Sequence, residues 1–316
     1  MLPRLLLLLP ACVLLPSPAT AQSWPARPIE MIIAFPAGGG VDAVGRSVAS
    51  TLSRQLGQQV VVNNRDGASG TLGFNALATA APNGYTIAFG PTTPVANAPY
   101  LVKGVRYQLN SFEYLCQVFE NVFTIAVAPQ SRFHSIEDLV AAARAQPGTI
   151  SYGHAGPGTI PHLAVENLAD ALKVSFHAVP FRGDGPALPT LLKGDLDFVA
   201  SAVSTIHGKE FRPLLLFWGE RHPSYPDVPT ARERGVLTDV PPGHNGLFAP
   251  KGLPSEIKTS LERECAAAVE SPPVKQMILT TGQTIRYLGG GAFQAQTEAD
   301  YRFKGELIHR LGLAVQ

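Results

Sequence analysis

The chain has 316 residues, 45% of them hydrophobic, with Lys+Arg 25 against Asp+Glu 24. That is enough apolar material for one large core or two modest ones, and it excludes a disordered chain. Only 16% of residues are charged and the formal net charge is +1, so no basic field gathers phosphates and nucleic acid is not an expected partner.

The first residues read as an export signal. Arg4 gives a short positive start, residues 5–9 and 13–15 are apolar, and Ala19-Thr20-Ala21 fits the small-residue cleavage pattern, with the cut after Ala21. A membrane anchor needs about 20 unbroken apolar residues, whereas Pro10, Pro16 and Pro18 interrupt this run. Lipidation at Cys12 fits less well, because Pro10 and a very short apolar run precede it. Taking Arg4 from the 25 basic residues leaves 24, equal to the 24 acidic ones, so the exported chain is close to neutral. It keeps Cys116 and Cys265, which in an oxidising compartment either pair or stay buried and free; their spacing fits no zinc site.

Short β-branched runs then alternate with longer amphipathic stretches, the pattern of strands and crossover helices in a mostly parallel sheet. Residues 29–35 read as the first strand, and Val41, Val44, Val48, Leu52 and Leu56 recur at helical spacing until Gly57. Strands are expected at 60–62 and 85–89 with a helix near 71–80 between them. The pattern restarts with a strand at 122–128, a helix from its cap Ser135 to 145, a strand at 150–152 and a helix at 162–172. Strands at 176–179, 197–200 and 212–217 with a helix at 186–193 follow, then an apolar run at 247–249 and helices begun by Pro254 and Pro272. Two βα blocks predict two lobes, with the tail returning to the first.

The sharpest local feature is Phe35-Pro36-Ala37-Gly38-Gly39-Gly40-Val41-Asp42, a strand end that runs through three glycines into a helix. Such a turn presents backbone N–H groups at the positive end of a helix, which favours a phosphate or a carboxylate. Gly38, Gly40 and Ala43 also satisfy a dinucleotide pattern, but Asn63-Asn64-Arg65 stands where that site needs an acidic residue. The second block repeats the device with Gly153-His154-Ala155-Gly156-Pro157-Gly158-Thr159. Gly90-Pro91-Thr92-Thr93 and Pro180-Phe181-Arg182-Gly183 leave strands at equivalent places, so one cleft with anion-binding walls on both sides is expected.

Catalytic patterns fail by comparison. Gly67-Ala68-Ser69-Gly70-Thr71 lacks the final glycine of a nucleophile elbow and follows a polar loop, so Ser69 reads as a turn residue. The eight histidines include no H-E-x-x-H and no i, i+4 pair, so His154 and His162 read as loop braces or cleft hydrogen-bonders. Asp42 and Arg46, four apart, suit a structural ion pair.

With these motifs in order the chain resembles the Bug receptors, the TctC-like periplasmic solute-binding proteins of tripartite tricarboxylate transporters. The resemblance rests on Trp24-Pro25-Ala26-Arg27-Pro28-Ile29, Phe35-Pro36-Ala37-Gly38-Gly39-Gly40, Val62-Asn63-Asn64-Arg65, Ala81-Pro82-Asn83-Gly84-Tyr85-Thr86, Val179-Pro180-Phe181-Arg182-Gly183 and Pro226-Asp227-Val228-Pro229-Thr230. It implies an α/β, two-lobed periplasmic-binding-protein fold of type II, with residues 22–119 plus 246–316 in one lobe and 120–245 in the other. It also implies a monomer that captures a small organic carboxylate without a metal or cofactor and delivers it to a membrane permease or sensor. An exported hydrolase using Ser69 or His154 is the alternative. Carried over by position, Phe35, Ala37, Gly38, Gly39, Thr92 and Thr93 form one wall, and Gly156, Gly158, Thr159 and His162 face them. Phe181 and Arg182 stand at the rim, and Ala200 and Ser201 form a further wall.

Three departures bear on specificity. The aromatic and lysine usual before Gly183 are Phe181 and Arg182, and a tryptophan usual near Asn245 is missing. The aspartate that many relatives carry after the strand around Phe198 is replaced by Val199-Ala200-Ser201. The expected wall is smaller and less negative, open to a second carboxylate or an aromatic acid.

Overall fold

Alternation along the first strand divides its side chains between two cores. In β1 (Ile29–Ile33), Ile29, Met31 and Ile33 enter one core, and Ile32 joins another on the opposite face. The computed structural model describes residues 24–236 and 240–314; the expected export signal, Cys12 included, lies outside them. α1 (Gly40–Leu56) buries Val44, Val48 and Leu52 on the first face and stops at Gly57, whose φ of 65° is left-handed. β2 (Val60–Asn64), α2 (Thr71–Ala78) and β3 (Thr86–Pro91) complete a parallel block with β1 at its centre.

After the short α3 (Thr93–Ala96), β4 (Phe112–Asn121) joins the same sheet and hands the chain to the second lobe at β5 (Phe123–Val127). There α4 (Ile136–Ala145), β6 (Ser151–His154), α5 (Ile160–Leu172), β7 (His177–Pro180), α6 (Ala187–Lys193), β8 (Phe198–Ala202), α7 (Val203–Ile206) and β9 (Arg212–Phe217) follow. β10 (Gly243–Pro250) returns to the first sheet, followed by α8 (Ser255–Glu270), α9 (Pro272–Thr280), β11 (Thr284–Gly289) and α10 (Gly290–Arg310).

The strand orders are β11-β4-β10-β3-β1-β2 and β7-β6-β8-β5-β9. Both sheets are mixed rather than mostly parallel, and the reason is the crossover. Strands within each βα block pair in parallel, whereas β10 enters between β3 and β4 and β5 between β8 and β9, each antiparallel to both neighbours.

Besides the short α3 and α7, the sequence reading missed β4, β11 and α10, and two of these, β4 and α10, bury charge. β4 carries Glu113, held by Lys251 at 3.0 Å and Lys258 at 2.9 Å, and Glu120, 3.3 Å from His244. α10 starts on Gly290 and Gly291 and buries Asp300 and Lys304 as a 3.0 Å pair, which interrupts its apolar stripe. β11, paired irregularly with β4, leads into it. α10 also links the lobes: Phe293 belongs to a first-lobe core, whereas Leu307 and Ile308 belong to the second-lobe core.

Cys116 and Cys265, both fully buried, form a disulfide that joins β4 to α8. Closing a loop between cysteines 149 residues apart removes entropy from the unfolded chain, so reduction should cost about 3–5 kcal/mol. Thermal melts with and without reductant measure it, and coincident melts would refute the pairing. In α4 the Ser135 hydroxyl accepts from the Asp138 N–H while the Asp138 carboxylate accepts from the Ser135 N–H, a reciprocal cap. Ser135→Ala should lower the stability from urea titration by about 1 kcal/mol at unchanged m-value.

Candidate functional site

The carboxyl ends of β1 and β6 both run into glycine turns, and the two turns meet between the lobes. Neither α1 nor α5 has a side-chain cap bond, so N–H groups of their first turns lack intrahelical acceptors. Both helix starts line one inner chamber of about 70 Å3, α1 through Val41 and α5 through Ile160 and Pro161. Phe35, Pro91, Thr93, Asn121, Phe123, Ala155, Thr159 and Asp184 complete its wall. Two wider cavities flank it. One of about 230 Å3 takes Ala37, Gly38, Gly39, Ser204 and Thr205, and one of about 440 Å3 takes Ser69, Gly156, Phe181 and Arg182.

The lobes are closed on each other. The Ser69 hydroxyl donates to Pro157 O at 2.8 Å and Asn97 Nδ2 donates to Gly158 O at 2.8 Å. A Cβ on Gly40 would lie 2.6 Å from Ser204 Oγ, and one on Gly183 would lie 3.3 Å from Pro36, so glycine is needed where backbone meets the opposite lobe.

Asp42 shapes the first turn. It is 4% exposed, and its carboxylate accepts from Gly38 N at 3.0 Å, Arg46 Nε at 2.9 Å and Asn64 Nδ2 at 2.9 Å. Burial works to raise its pKa, but these hydrogen bonds outweigh it and hold the carboxyl below its usual range. The expected Asp42–Arg46 pair is therefore present, and it takes the Gly38 N–H out of the anion-binding set.

The second turn is braced from behind. Gly158 N donates to His162 Nδ1 at 3.0 Å, and the His162 ring stacks on His154 at 4.4 Å. Burial and the facing His154 lower the His162 pKa to about 3, and burial lowers that of His154 to about 4 despite its bond to Gly156 O, so both rings are neutral.

Of the expected residues, Phe35 lines all three cavities, and Ala37, Gly38, Gly39, Thr93, Gly156, Thr159, Phe181 and Arg182 each line one. Five others sit elsewhere. Both backbone groups of Gly158 are engaged in the seam and the brace, and His162 stands behind its turn. Ala200 pairs with Ile125 in β8 and packs into the second-lobe core, which corrects its place on the wall. Thr92 and Ser201 are buried with hydroxyl oxygens that have no partner.

The wall is not free of carboxylate either. Asp184, in the turn after β7, lines the inner chamber and the 230 Å3 cavity. Its Oδ2 accepts from Ala202 N at 3.0 Å and Thr205 Oγ1 at 3.3 Å, while Oδ1 is buried without a partner. Burial pushes its pKa up to about 6 against those two bonds. The sequence reading passed over it; a charged residue between Gly183 and Gly185, just after a strand, was the available signal.

Residues 44–313 match the family described as tripartite tricarboxylate transporter family receptor. A protein from the tcbD-tcbE intergenic region of Pseudomonas sp. strain P51 is 35% identical over 88% of this chain and 85% of its own length. Protein BugT of Bordetella pertussis is 31% identical over 85% and 84%. Among solved structures, the periplasmic binding protein BugD is 29% identical with a TM-score of 0.85, over 93% of this chain and all of its own. MatC of Rhodopseudomonas palustris, with bound malate, is 25% identical with a TM-score of 0.83, over 90% of this chain and all of its own. Rpa4515 of R. palustris, with adipate, is 26% identical with a TM-score of 0.87, over 92% and 99%. With two α/β lobes closed over a shared chamber and a family match along most of its length, this chain belongs to the tripartite tricarboxylate transporter receptor family.

Proposed function

We propose that the protein is exported to the periplasm with its signal cut after Ala21, acts there as a monomer, and captures a small organic carboxylate between its lobes for delivery to the membrane permease of a tripartite transporter. The observation that carries this reading is the inner chamber, onto which the uncapped starts of α1 and α5 converge from opposite lobes. Each helix start carries about half a positive charge. Hydrogen bonds to a charged acceptor contribute roughly 1.5–3 kcal/mol each, so four from two walls suffice for micromolar affinity. The dicarboxylates held by two similar structures support the same chemistry.

A hydrolase is less well supported. The Ser69 hydroxyl donates to a backbone carbonyl across the seam, and the His154 ring is bonded to Gly156 and stacked on His162, so neither is set as nucleophile or base.

Capture by closure predicts that ligand and lobe contact are linked. A panel of C4–C6 dicarboxylates, aromatic acids and amino acids is screened by thermal shift; a true ligand at about a hundredfold excess over its Kd stabilises by about 2.7 kcal/mol. Ser204 faces Gly40 across the seam, so Ser204→Trp should wedge the lobes apart, abolish that shift and leave the ligand-free melting temperature almost unchanged. Full retention of the shift in the wedge variant, or no shift with any acid, would refute capture between the lobes.

A further inference from the structure

An anion receptor with a buried carboxylate in its own chamber presents a contradiction that the ligand must resolve. Asp184 projects from the β7–α6 turn between the inner chamber and the 230 Å3 cavity. Its Oδ2 is satisfied within the second lobe by Ala202 N and Thr205 Oγ1, which fix the carboxylate plane, and its Oδ1 is left buried and unpartnered. Among the described residues no cation pairs with it. Lys209 lines the 230 Å3 cavity, but its Nζ donates to Thr205 O at 2.7 Å, and the other acid there, Asp42, is committed to Arg46. Buried charges are normally paired. Oδ1 is therefore open to a partner from outside the chain.

We propose that Asp184 is the specificity-determining residue of the site and that its free Oδ1 receives an N–H of a protonated nitrogen on the ligand, so that the guest is a zwitterion: a carboxylate at the helix starts and an ammonium at Asp184. This rests on the receptor reading above and narrows it. A simple dicarboxylate brings a second negative group toward Asp184, whereas an amino acid brings a charge of the opposite sign. A neutral hydroxyl at the same place makes the hydrogen bond and leaves the buried charge uncompensated.

Calorimetry on the intact protein near pH 7.5 tests it with L-aspartate and L-glutamate against their deaminated counterparts succinate and glutarate, and with 4-aminobutanoate against butanoate. The wild type should bind the amine-bearing member of a pair at least about 30-fold more tightly, the range for a desolvated charge pair. Asp184→Asn keeps the shape and acceptors toward Ala202 and Thr205, and it should erase most of that preference. Wild-type binding of the deaminated acids as tight as that of the amines would overturn the proposal while leaving the receptor reading intact, and this comparison needs no variant to fold. An unchanged preference in Asp184→Asn would overturn it equally. No heat with any acid of either group would remove the receptor reading and this inference together.

Discussion

Two helix starts aimed at one small space repel each other unless negative charge lies between them. α1 and α5 bring such ends together from opposite lobes, and neither is capped by a side chain. Much of the surrounding structure answers this constraint. Asp42 supplies charge behind the first turn but is spent on Gly38, Arg46 and Asn64, so it orders the loop without filling the chamber. The seam bonds from Ser69 and Asn97 add contact energy only when the lobes meet. By this electrostatic argument, closure is cheapest with an anion inside.

The two glycine turns resemble each other in sequence and differ in construction. The first is held by a buried, ionised carboxylate network, the second by two neutral, stacked imidazoles. The charged brace stands where Arg46 and Asn64 compensate it, whereas the second turn is held by uncharged rings. Each choice keeps the net field at the chamber in the hands of the helix starts, Asp184 and the guest.

Much of the fold was legible in the sequence, because strand alternation, the Ser135 cap and the Gly57 stop are local signals that tertiary structure merely completes. β4 was hidden because its buried charge depends on a partner far away in the chain, as with Glu113 and Lys258, and α10 because the buried Asp300–Lys304 pair breaks its apolar stripe. At the site, the glycine turns announced themselves, but the direction of each N–H did not. Gly158 spends its N–H on His162, a ring supplied by the first turn of the following helix, and the glycine motif alone does not announce that pairing. Ala200 shows a parity problem: in a strand buried on both faces, side-chain alternation has no polar mark, so core and cleft sides read alike. Asp184 escaped because its meaning lies in a lone oxygen without a partner.

α10 is seated in both lobes, through Phe293 at one end and Leu307 and Ile308 at the other, with Arg310 Nη2 donating to Asn167 at 2.8 Å. The lobes are therefore fastened by a stiff rod as well as by the backbone crossings near Asn121 and Gly243. Such a rod restricts how far the jaws swing and in which direction, because gaping requires its last turns to slide over the second core. The placement of one lobe on the other is thus also held at a place remote from the chamber, where Leu307 and Ile308 grip the second core.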